Sequence, residues 1–371
     1  MRIAFVTSVI SKRLGGIQNT GYYFAQCFPK KSDLEAFCAV DSETEGLTCR
    51  IHKSYYKSND TINYHLSIIK MLFAANKENQ FDFTFAAFYP MALSCMLLKK
   101  IRGVPYGVMM HGNELLDGVE PRNGIKKVLR RVRFVIRKKI LENADILFAN
   151  SEYTKSLCEN KFSSKKIAII HPPICFEKHN IEQTNKTYKV FSLGRLEKRK
   201  GFQYVVEAMK SLVKDIPQLQ YLIAGGGDYS GELTDLIETM GLQKNVKLLG
   251  RISEEQKGVL YKECDFFIMP SFKVDEESSV EGFGIVFIEA NMYGKYVLAT
   301  RSGGIPDAII EGVTGEFVEE KNADSIAKVL SRLYKDNFSY DPYKCVEWSK
   351  EMDINAISDQ YIDAISTTIS K

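Results

Sequence analysis

Two glutamates separated by seven residues are the side chains best suited to binding hydroxyl groups. Glu281 and Glu289 enclose the run Gly-Phe-Gly-Ile-Val-Phe-Ile, which predicts a loop and then a helix that begins near Gly284 or Ile285. The free N–H groups and positive dipole end of such a helix favour phosphate. Glu289 would lie one turn into the helix, where its carboxylate can accept hydrogen bonds from the vicinal hydroxyls of a ribose, and Glu281 can do the same for a second sugar. Because Glu289 has apolar neighbours on both sides, we expect it to be a partnered carboxylate.

A basic turn supplies the opposite charge. The segment Gly194-Arg195-Leu-Glu-Lys-Arg-Lys200-Gly201 follows a predicted strand directly. An arginine offers a planar fork for phosphate oxygens and a lysine a mobile point charge, so Arg195 and Lys200 suit a diphosphate. We interpret the two basic residues between them, Lys198 and Arg199, as solvated turn residues. The chain contains no Asp-x-Asp triplet, which agrees with chemistry that needs no metal.

Two glycine-rich turns and one histidine complete the set of candidate residues. Gly15 and Gly16 open a predicted helix, where backbone N–H groups could approach an anion, although a plain turn is the alternative. The run that starts at Gly225 predicts a tight turn from strand to helix. Neither turn has the Gly-x-Gly-x-x-Gly spacing of a dinucleotide-binding loop. His111 follows a predicted strand and could contact a ligand there, or could simply cap the strand.

The elements around these residues predict an α/β protein. Short β-rich runs alternate with helical patterns along the whole chain, which favours parallel sheets covered by helices on both faces. Apolar periodicity disappears in a polar stretch at 177–186, so we place a linker there and predict a domain at 1–175 and another at 187–345. In doubly wound sheets ligands bind at the carboxyl ends of the strands, which is where the candidate residues fall.

This pattern resembles the retaining glycosyltransferases of the GT-B fold, family four of that class, also called group 1. The resemblance covers nearly the whole chain. It rests on Gly15-Gly16, His111-Gly112, Ala144-Asp145 to Asn150-Ser151, Gly194-Arg195, Lys200-Gly201, Ala224 to Gly227, Pro270-Ser271, Glu281 to Glu289 and Ser302-Gly303-Gly304. It implies two Rossmann-like domains that face a central cleft, with a final helix, about 346–371, that crosses back to the N-terminal domain. The apolar spacing of Trp348 to Ile365 is suited to that helix.

The resemblance also implies roles for residues. Arg195 and Lys200 would hold the donor diphosphate, Glu281 the donor sugar and Glu289 the ribose, while His111 would contact the donor sugar. Of these, His111, Glu281, Arg195 and Lys200 would be the catalytic set. Backbone groups near the nucleobase and phosphates would complete the donor site, and they belong to Gly15, Gly16, Gly225, Arg251, Ile252, Phe283, Gly284 and Ile285.

The predicted reaction moves a hexose-type sugar from a UDP- or GDP-sugar to a glycan or lipid-linked acceptor, in the synthesis of a bacterial surface polysaccharide. Retention could proceed by a double displacement or by same-face attack, and the resemblance favours the second; we expect no cofactor and no metal. A non-transferase GT-B protein, such as a nucleotide-sugar sensor or an epimerase, would keep the same site and is the alternative. A nicotinamide-dependent oxidoreductase is disfavoured because its glycine fingerprint and acidic ribose residue are missing.

Composition and charge bear on partners and location. The chain has 371 residues and a formal net charge of +4, and its first residues lack the pattern of a signal peptide, so we expect a cytoplasmic protein. Eight Lys or Arg fall between Lys126 and Lys139 in a predicted helix. Such a helix can lie on an anionic membrane surface, here the inner face of the cytoplasmic membrane, although an ordinary solvated helix is the alternative. Nucleic acid is not an expected partner, because only Phe134 in this helix could stack on a base. No role can be assigned to the acidic stretch Asp275 to Glu277.

Overall fold

The chain divides into two compact units in a computed structural model. Unit 1 consists of Met1–Cys175 together with Met352–Lys371, and unit 2 is Phe176–Glu351. The structure describes residues 1–11, 16–28, 32–116, 125–162, 166–181, 186–274, 279–336 and 338–370. Unit 1 is therefore built from two separate segments of the sequence, and the sequence of unit 2 comes between them.

Strands and helices alternate through both units. The described strands are β1 (Arg2–Val6), β2 (Asp33–Cys38), β3 (Arg50–Lys53), β4 (Phe83–Ala86), β5 (Tyr106–Met110), β6 (Ile146–Ala149), β7 (Ile167–Ile169), β8 (Lys189–Leu193), β9 (Gln220–Ala224), β10 (Val246–Gly250), β11 (Phe266–Met269), β12 (Tyr296–Ala299) and β13 (Gly315–Phe317). The described α-helices are α1 (Gly16–Cys27), α2 (Thr61–Glu78), α3 (Ala92–Arg102), α4 (Ile125–Glu142), α5 (Glu152–Lys161), α6 (Phe202–Asp215), α7 (Ser230–Thr239), α8 (Glu254–Glu263), α9 (Ile285–Met292), α10 (Ala323–Lys335), α11 (Pro342–Glu351) and α12 (Ile354–Ile369).

Each unit contains one parallel sheet. Unit 1 has seven strands in the order β3-β2-β1-β4-β5-β6-β7, and unit 2 has six in the order β10-β9-β8-β11-β12-β13. The central strands are buried on both faces, as in β1, whose five residues are all buried, because helices cover both sides of a parallel sheet. The predicted class, two doubly wound α/β halves, is confirmed.

One edge strand was not predicted. β3 has the sequence Arg-Ile-His-Lys and pairs only with β2 among the described strands, and each of its residues is at least partly exposed. The sequence of β3 therefore lacks the apolar run that predicts a strand. An edge strand needs fewer apolar contacts than a central one.

The C-terminal segment differs from its prediction. The prediction of a single helix from Trp348 to Ile365 is wrong, because the helical structure ends with α11 and a new helix, α12, begins at Ile354. Asp353 caps α12, since its carboxylate accepts a hydrogen bond from the Asn355 N–H. Trp348 belongs to α11 in unit 2, where its indole Nε1 donates to the Ala308 carbonyl at 3.0 Å. α12 belongs to unit 1 and buries Tyr361 there.

Tyr361 lies in a cluster of aromatic rings inside unit 1. Its ring centroid is 4.6 Å from that of Phe24, 5.3 Å from Phe85 and 4.8 Å from Phe148. These partners come from α1, β4 and β6. A residue from the end of the chain thus completes the core of the unit that begins the chain.

The long apolar stretch from Phe81 to Leu98 comprises strand β4, a turn and most of helix α3. Within the described ranges, no helix combines the length and the apolar character that a membrane span requires.

Candidate functional site

The carboxyl edge of the unit 2 sheet brings together the segments that follow its strands. The loop after β8 contacts the turn after β9, since the Leu196 N–H donates to the Gly226 carbonyl at 3.1 Å. Gly225 N–H donates to the Gly250 carbonyl at 2.8 Å, and Gly304 N–H to the Glu281 carbonyl at 2.9 Å. Backbone contacts therefore join most of the predicted donor-site segments of this unit at one edge.

Glycine is required where two of these segments touch. Gly225 has φ +134°, and a Cβ added there would lie 1.8 Å from the Gly194 carbonyl oxygen. The side chain of Arg251 lies over the next glycine, because a Cβ on Gly226 would be 3.0 Å from Arg251 Nε. The close approach of the two backbones explains why the sequence has glycine in this turn.

Glu281 forms an ion pair at this edge. Its Oε2 accepts a hydrogen bond from Lys200 Nζ at 2.5 Å and another from Arg199 Nη1 at 3.3 Å. Only 10% of the Lys200 side chain and 18% of the Glu281 side chain are exposed. Burial alone would raise the pKa of Glu281, but the two cations outweigh it and hold that pKa below its ordinary value. The carboxylate is therefore charged at neutral pH.

The interpretation of Arg199 as a solvated turn residue is wrong. Its side chain is 13% exposed and lies between two carboxylates, with Nε 2.9 Å from Glu197 Oε2. Lys198 is exposed, as expected. Arg195 is 73% exposed and donates to the other oxygen of Glu197, Oε1, at 3.0 Å. Glu197 thus connects the two arginines on either side of it.

Glu289 is partnered, as its apolar neighbours predicted. Lys257 Nζ donates to its Oε1 at 3.2 Å and the Tyr261 hydroxyl to its Oε2 at 3.2 Å. Both partners belong to α8, and they lie four residues apart on one face. The helix begins with a capping box between Ser253 and Gln256.

The helix that carries Glu289 begins where predicted. α9 starts at Ile285, and Gly284 caps it with φ +97°. Phe283 is buried beside the cap, and Ile285 is partly exposed. Ile252, which follows β10 next to Arg251, is also partly exposed. The cap holds the free N–H groups of the first turn at the same sheet edge as Glu281.

His111 belongs to unit 1, at the carboxyl end of β5. The ring nitrogen Nε2 of His111 lies 2.8 Å from the Ala87 carbonyl oxygen. The backbone N–H of His111 donates to Glu114 Oε1 at 2.6 Å. With Asn150 and Tyr361 it lines a small pocket of this unit. Gly16 is the first residue of α1. Gly15 and the acidic stretch Asp275 to Glu277 lie outside the described residues.

Three side chains of the site were not identified from the sequence, namely Arg199, Lys257 and Tyr261. The spacing of Lys257 and Tyr261 was an available signal, since residues four apart share a helix face. Their proximity to Glu289 could not be predicted, because the sequence does not show which residues of two helices are in contact.

Comparisons with known proteins agree with this architecture. The sequence profile described as "Glycosyl transferases group 1" matches residues 176–353, and the profile described as "Glycosyltransferase Family 4" matches residues 14–178. A GDP-mannose-dependent alpha-(1-6)-phosphatidylinositol monomannoside mannosyltransferase of Mycolicibacterium smegmatis is 33% identical over 147 residues, which are 40% of this chain and 38% of that protein. The amylovoran biosynthesis glycosyltransferase AmsK of Erwinia amylovora is 29% identical over 46% of this chain and 42% of its own length.

The chain therefore matches less than half the length of these two curated relatives. A solved structure of HepE from Anabaena in complex with UDP superposes over 99% of this chain and 100% of that chain, with a TM-score of 0.77 and 18% identity. This likeness shows that the fold is shared.

Proposed function

The chain belongs to the group 1 glycosyltransferases, and from that premise we propose that it is a retaining hexosyltransferase with a UDP- or GDP-sugar as donor. One observation carries the proposal. A largely buried carboxylate, Glu281, lies between two cations at the carboxyl edge of a parallel sheet, which is where such sheets bind ligands. A carboxylate held in this way can accept hydrogen bonds from sugar hydroxyls while its neighbouring cations bind phosphate.

The charges of the site suit the chemistry of a departing diphosphate. Negative charge builds on the diphosphate as its bond to the sugar breaks, so positive groups beside it stabilise the transition state more than the ground state. Lys200, Arg195 and the N-terminal turn of α9 are the groups we assign to this task. An ammonium has three N–H donors, so the bond from Lys200 to Glu281 leaves donors for phosphate oxygens. We propose that no metal or other cofactor is needed.

Retention of configuration follows in this proposal from attack on the same face. The leaving phosphate takes the proton of the attacking hydroxyl, so no carboxylate nucleophile is required. His111 is assigned to the sugar at the reacting carbon, because it ends a strand of the unit that we propose faces the acceptor. Glu281 orients the donor sugar and Glu289 the ribose.

The names of similar proteins suggest the substrate classes. The mycobacterial relative uses GDP-mannose, HepE has been solved with UDP and with UDP-glucose, and the Erwinia relative acts in amylovoran biosynthesis. We propose that the acceptor is a glycan or a lipid-linked intermediate of a surface polysaccharide. A nucleotide-sugar sensor or an epimerase would bind the same donor without releasing a nucleoside diphosphate.

A thermal-shift panel tests the donor. We expect UDP or GDP to raise the melting temperature selectively, because a ligand that binds only the folded state adds about 2.7 kcal/mol of stability at 100 times its Kd. ADP, which has the same terminal diphosphate, and NAD, whose diphosphate is a diester, serve as controls. Stabilisation by NAD alone would contradict the proposal. Release of nucleoside diphosphate in the presence of donor and acceptor then separates a transferase from a sensor or an epimerase.

We also propose that α4 places the protein on the inner face of the cytoplasmic membrane. Val132, Val135 and Ile136 have the spacing of one helix face and are exposed, Val135 by 61%. Ile140 and Leu141, farther along α4, are buried in unit 1. The exposed apolar residues alternate with basic ones, which is the composition of a helix that lies in a membrane surface.

Flotation with liposomes tests this surface. The protein should float with vesicles that contain an anionic phospholipid and stay at the bottom with neutral vesicles, because the negatively charged surface attracts basic residues. Replacing Val135 with aspartate should abolish flotation. The matched control is Ile101→Asp, at an exposed apolar residue of α3, which should float like the wild type. Equal flotation of both variants would contradict the role of α4.

A further inference from the structure

The two oxygens of Glu289 are held by different side chains of one helix. Lys257 Nζ donates to Oε1 and the Tyr261 hydroxyl to Oε2, each at 3.2 Å, and the same hydroxyl lies 3.3 Å from the Val286 carbonyl one turn before Glu289. A carboxylate that is held at one oxygen can still rotate, whereas contacts at both oxygens fix its plane. Each oxygen has two acceptor directions, so one direction on each oxygen is available to a ligand.

The Tyr261 ring is fixed from behind by stacked rings. It is fully buried, its centroid is 5.3 Å from that of Tyr293, and the planes differ by 17°. Tyr293 in turn stacks on His179, with centroids 4.0 Å apart. Burial raises the pKa of Tyr261 well above its ordinary value, so the hydroxyl keeps its proton and acts as a donor.

Lys257 keeps its charge in this position. Burial alone would lower the pKa of its ammonium, but Glu289 and Glu254 outweigh burial and raise that pKa above its ordinary value. Glu254 Oε2 lies 2.7 Å from Lys257 Nζ, so the lysine is itself held between two carboxylates. A charged donor holds a carboxylate more strongly than a neutral one.

We propose that Lys257 and Tyr261 are positioning residues that fix the Glu289 carboxylate so that it binds the two ribose hydroxyls of the donor nucleotide. The inference rests on the proposed function, in which Glu289 contacts the ribose. It adds that discrimination between ribose and deoxyribose depends on two side chains of α8, which act through Glu289.

The test compares Kd values by titration calorimetry for UDP and GDP and for their 2′,3′-dideoxy forms. Wild-type protein should bind the ribose form of its nucleotide about 10- to 100-fold more tightly, the range expected for hydrogen bonds to a charged group. Lys257→Met and Tyr261→Phe should each reduce that ratio at least about fivefold by weakening the ribose form alone. Lys262→Met, the same change at an exposed lysine of α8, should keep the wild-type ratio.

The outcomes separate this inference from the proposed function. The inference would be overturned if both variants kept the wild-type ratio of Kd values, or if they lost affinity equally for the ribose and dideoxy nucleotides. Either result would leave the proposed donor site intact. A wild-type protein that binds both forms equally would also overturn it, since Glu289 would then not contact the ribose. Wild-type protein that binds neither UDP nor GDP would overturn the proposed function as well.

Discussion

Replacing Lys200 with methionine should lower kcat/KM for donor turnover by about 100- to 1,000-fold, the loss typical of removing one group that stabilises charge in a transition state. The substitution keeps the length of the side chain and removes the ammonium that we assign to the departing diphosphate. It also removes the shortest contact of Glu281, 2.5 Å, and leaves that carboxylate with Arg199 alone among its described cation partners. The measurement is release of nucleoside diphosphate from the donor sugar that the thermal-shift panel identifies.

Two further variants decide whether Lys200 acts on the ligand or only on Glu281. Lys198→Met makes the same change two residues away at an exposed lysine and should keep activity within about twofold, as surface changes usually do. Lys200→Met combined with Glu281→Gln also removes the carboxylate that has lost its shorter cation contact, and should recover most of the stability lost in the single variant. If the double variant also recovers activity, the ion pair is structural and the catalytic assignment of Lys200 is wrong.

The same pair predicts how stability depends on pH. The pKa of Glu281 is lower in the folded chain than its ordinary 4.5, so its contribution to stability is present above that value and is lost as the pH falls through the folded pKa. The stability lost by Lys200→Met, about 1–3 kcal/mol for a buried charge that loses a partner, should therefore shrink in acid. Urea unfolding at pH 7 and at pH 3 measures the difference.

Replacing Tyr361 with alanine should lower the free energy of unfolding of unit 1 by about 3–5 kcal/mol, the cost of removing a large buried aromatic side chain. Tyr361 is 1% exposed, and its ring contacts those of Phe24, Phe85 and Phe148. These partners come from three separate elements, so the cavity would open at the centre of the core.

The position of tryptophan allows this loss to be assigned to one unit. The chain has a single Trp, and Trp348 belongs to unit 2, so its fluorescence follows unit 2 while far-ultraviolet circular dichroism follows both units. Tyr361→Ala should shift the dichroism transition of unit 1 to lower urea. Ile369→Ala, at a more exposed residue of the same helix, is the control and should shift it little. A loss of stability seen only in the urea transition of tryptophan fluorescence would contradict the assignment of α12 to unit 1.

The sequence predicted the parts of this fold that depend on local pattern. Buried strands such as β11, Phe266–Met269, follow from the alternation of β-rich runs with helical patterns, because an apolar run between polar helices has few alternative structures. The start of α9 at Ile285 followed from the glycine before it. Edge strand β3 was not predicted, since partial burial leaves little apolar signal.

The sequence did not predict which side chains meet. Glu281 and Glu289 were identified by residue type and spacing, but the partners Lys200, Arg199, Lys257 and Tyr261 depend on how loops and helices pack. Arg199 shows the limit most clearly, because a basic turn is usually solvated, whereas this arginine contacts Glu281 and Phe272, which are more than 70 residues away in the sequence. The break between α11 and α12 was missed because apolar spacing continues across it.

The placement of unit 2 between the two parts of unit 1 has a consequence for biosynthesis. A ribosome completes Phe176–Glu351 before it adds Tyr361. Phe24, Phe85 and Phe148 therefore lack the residue that closes over them until all of unit 2 has been synthesised, so we expect unit 1 to complete its core late, unlike the usual N-terminal domain that folds first. The nascent species with an open first half exposes aromatic surface and is the one most in need of chaperones.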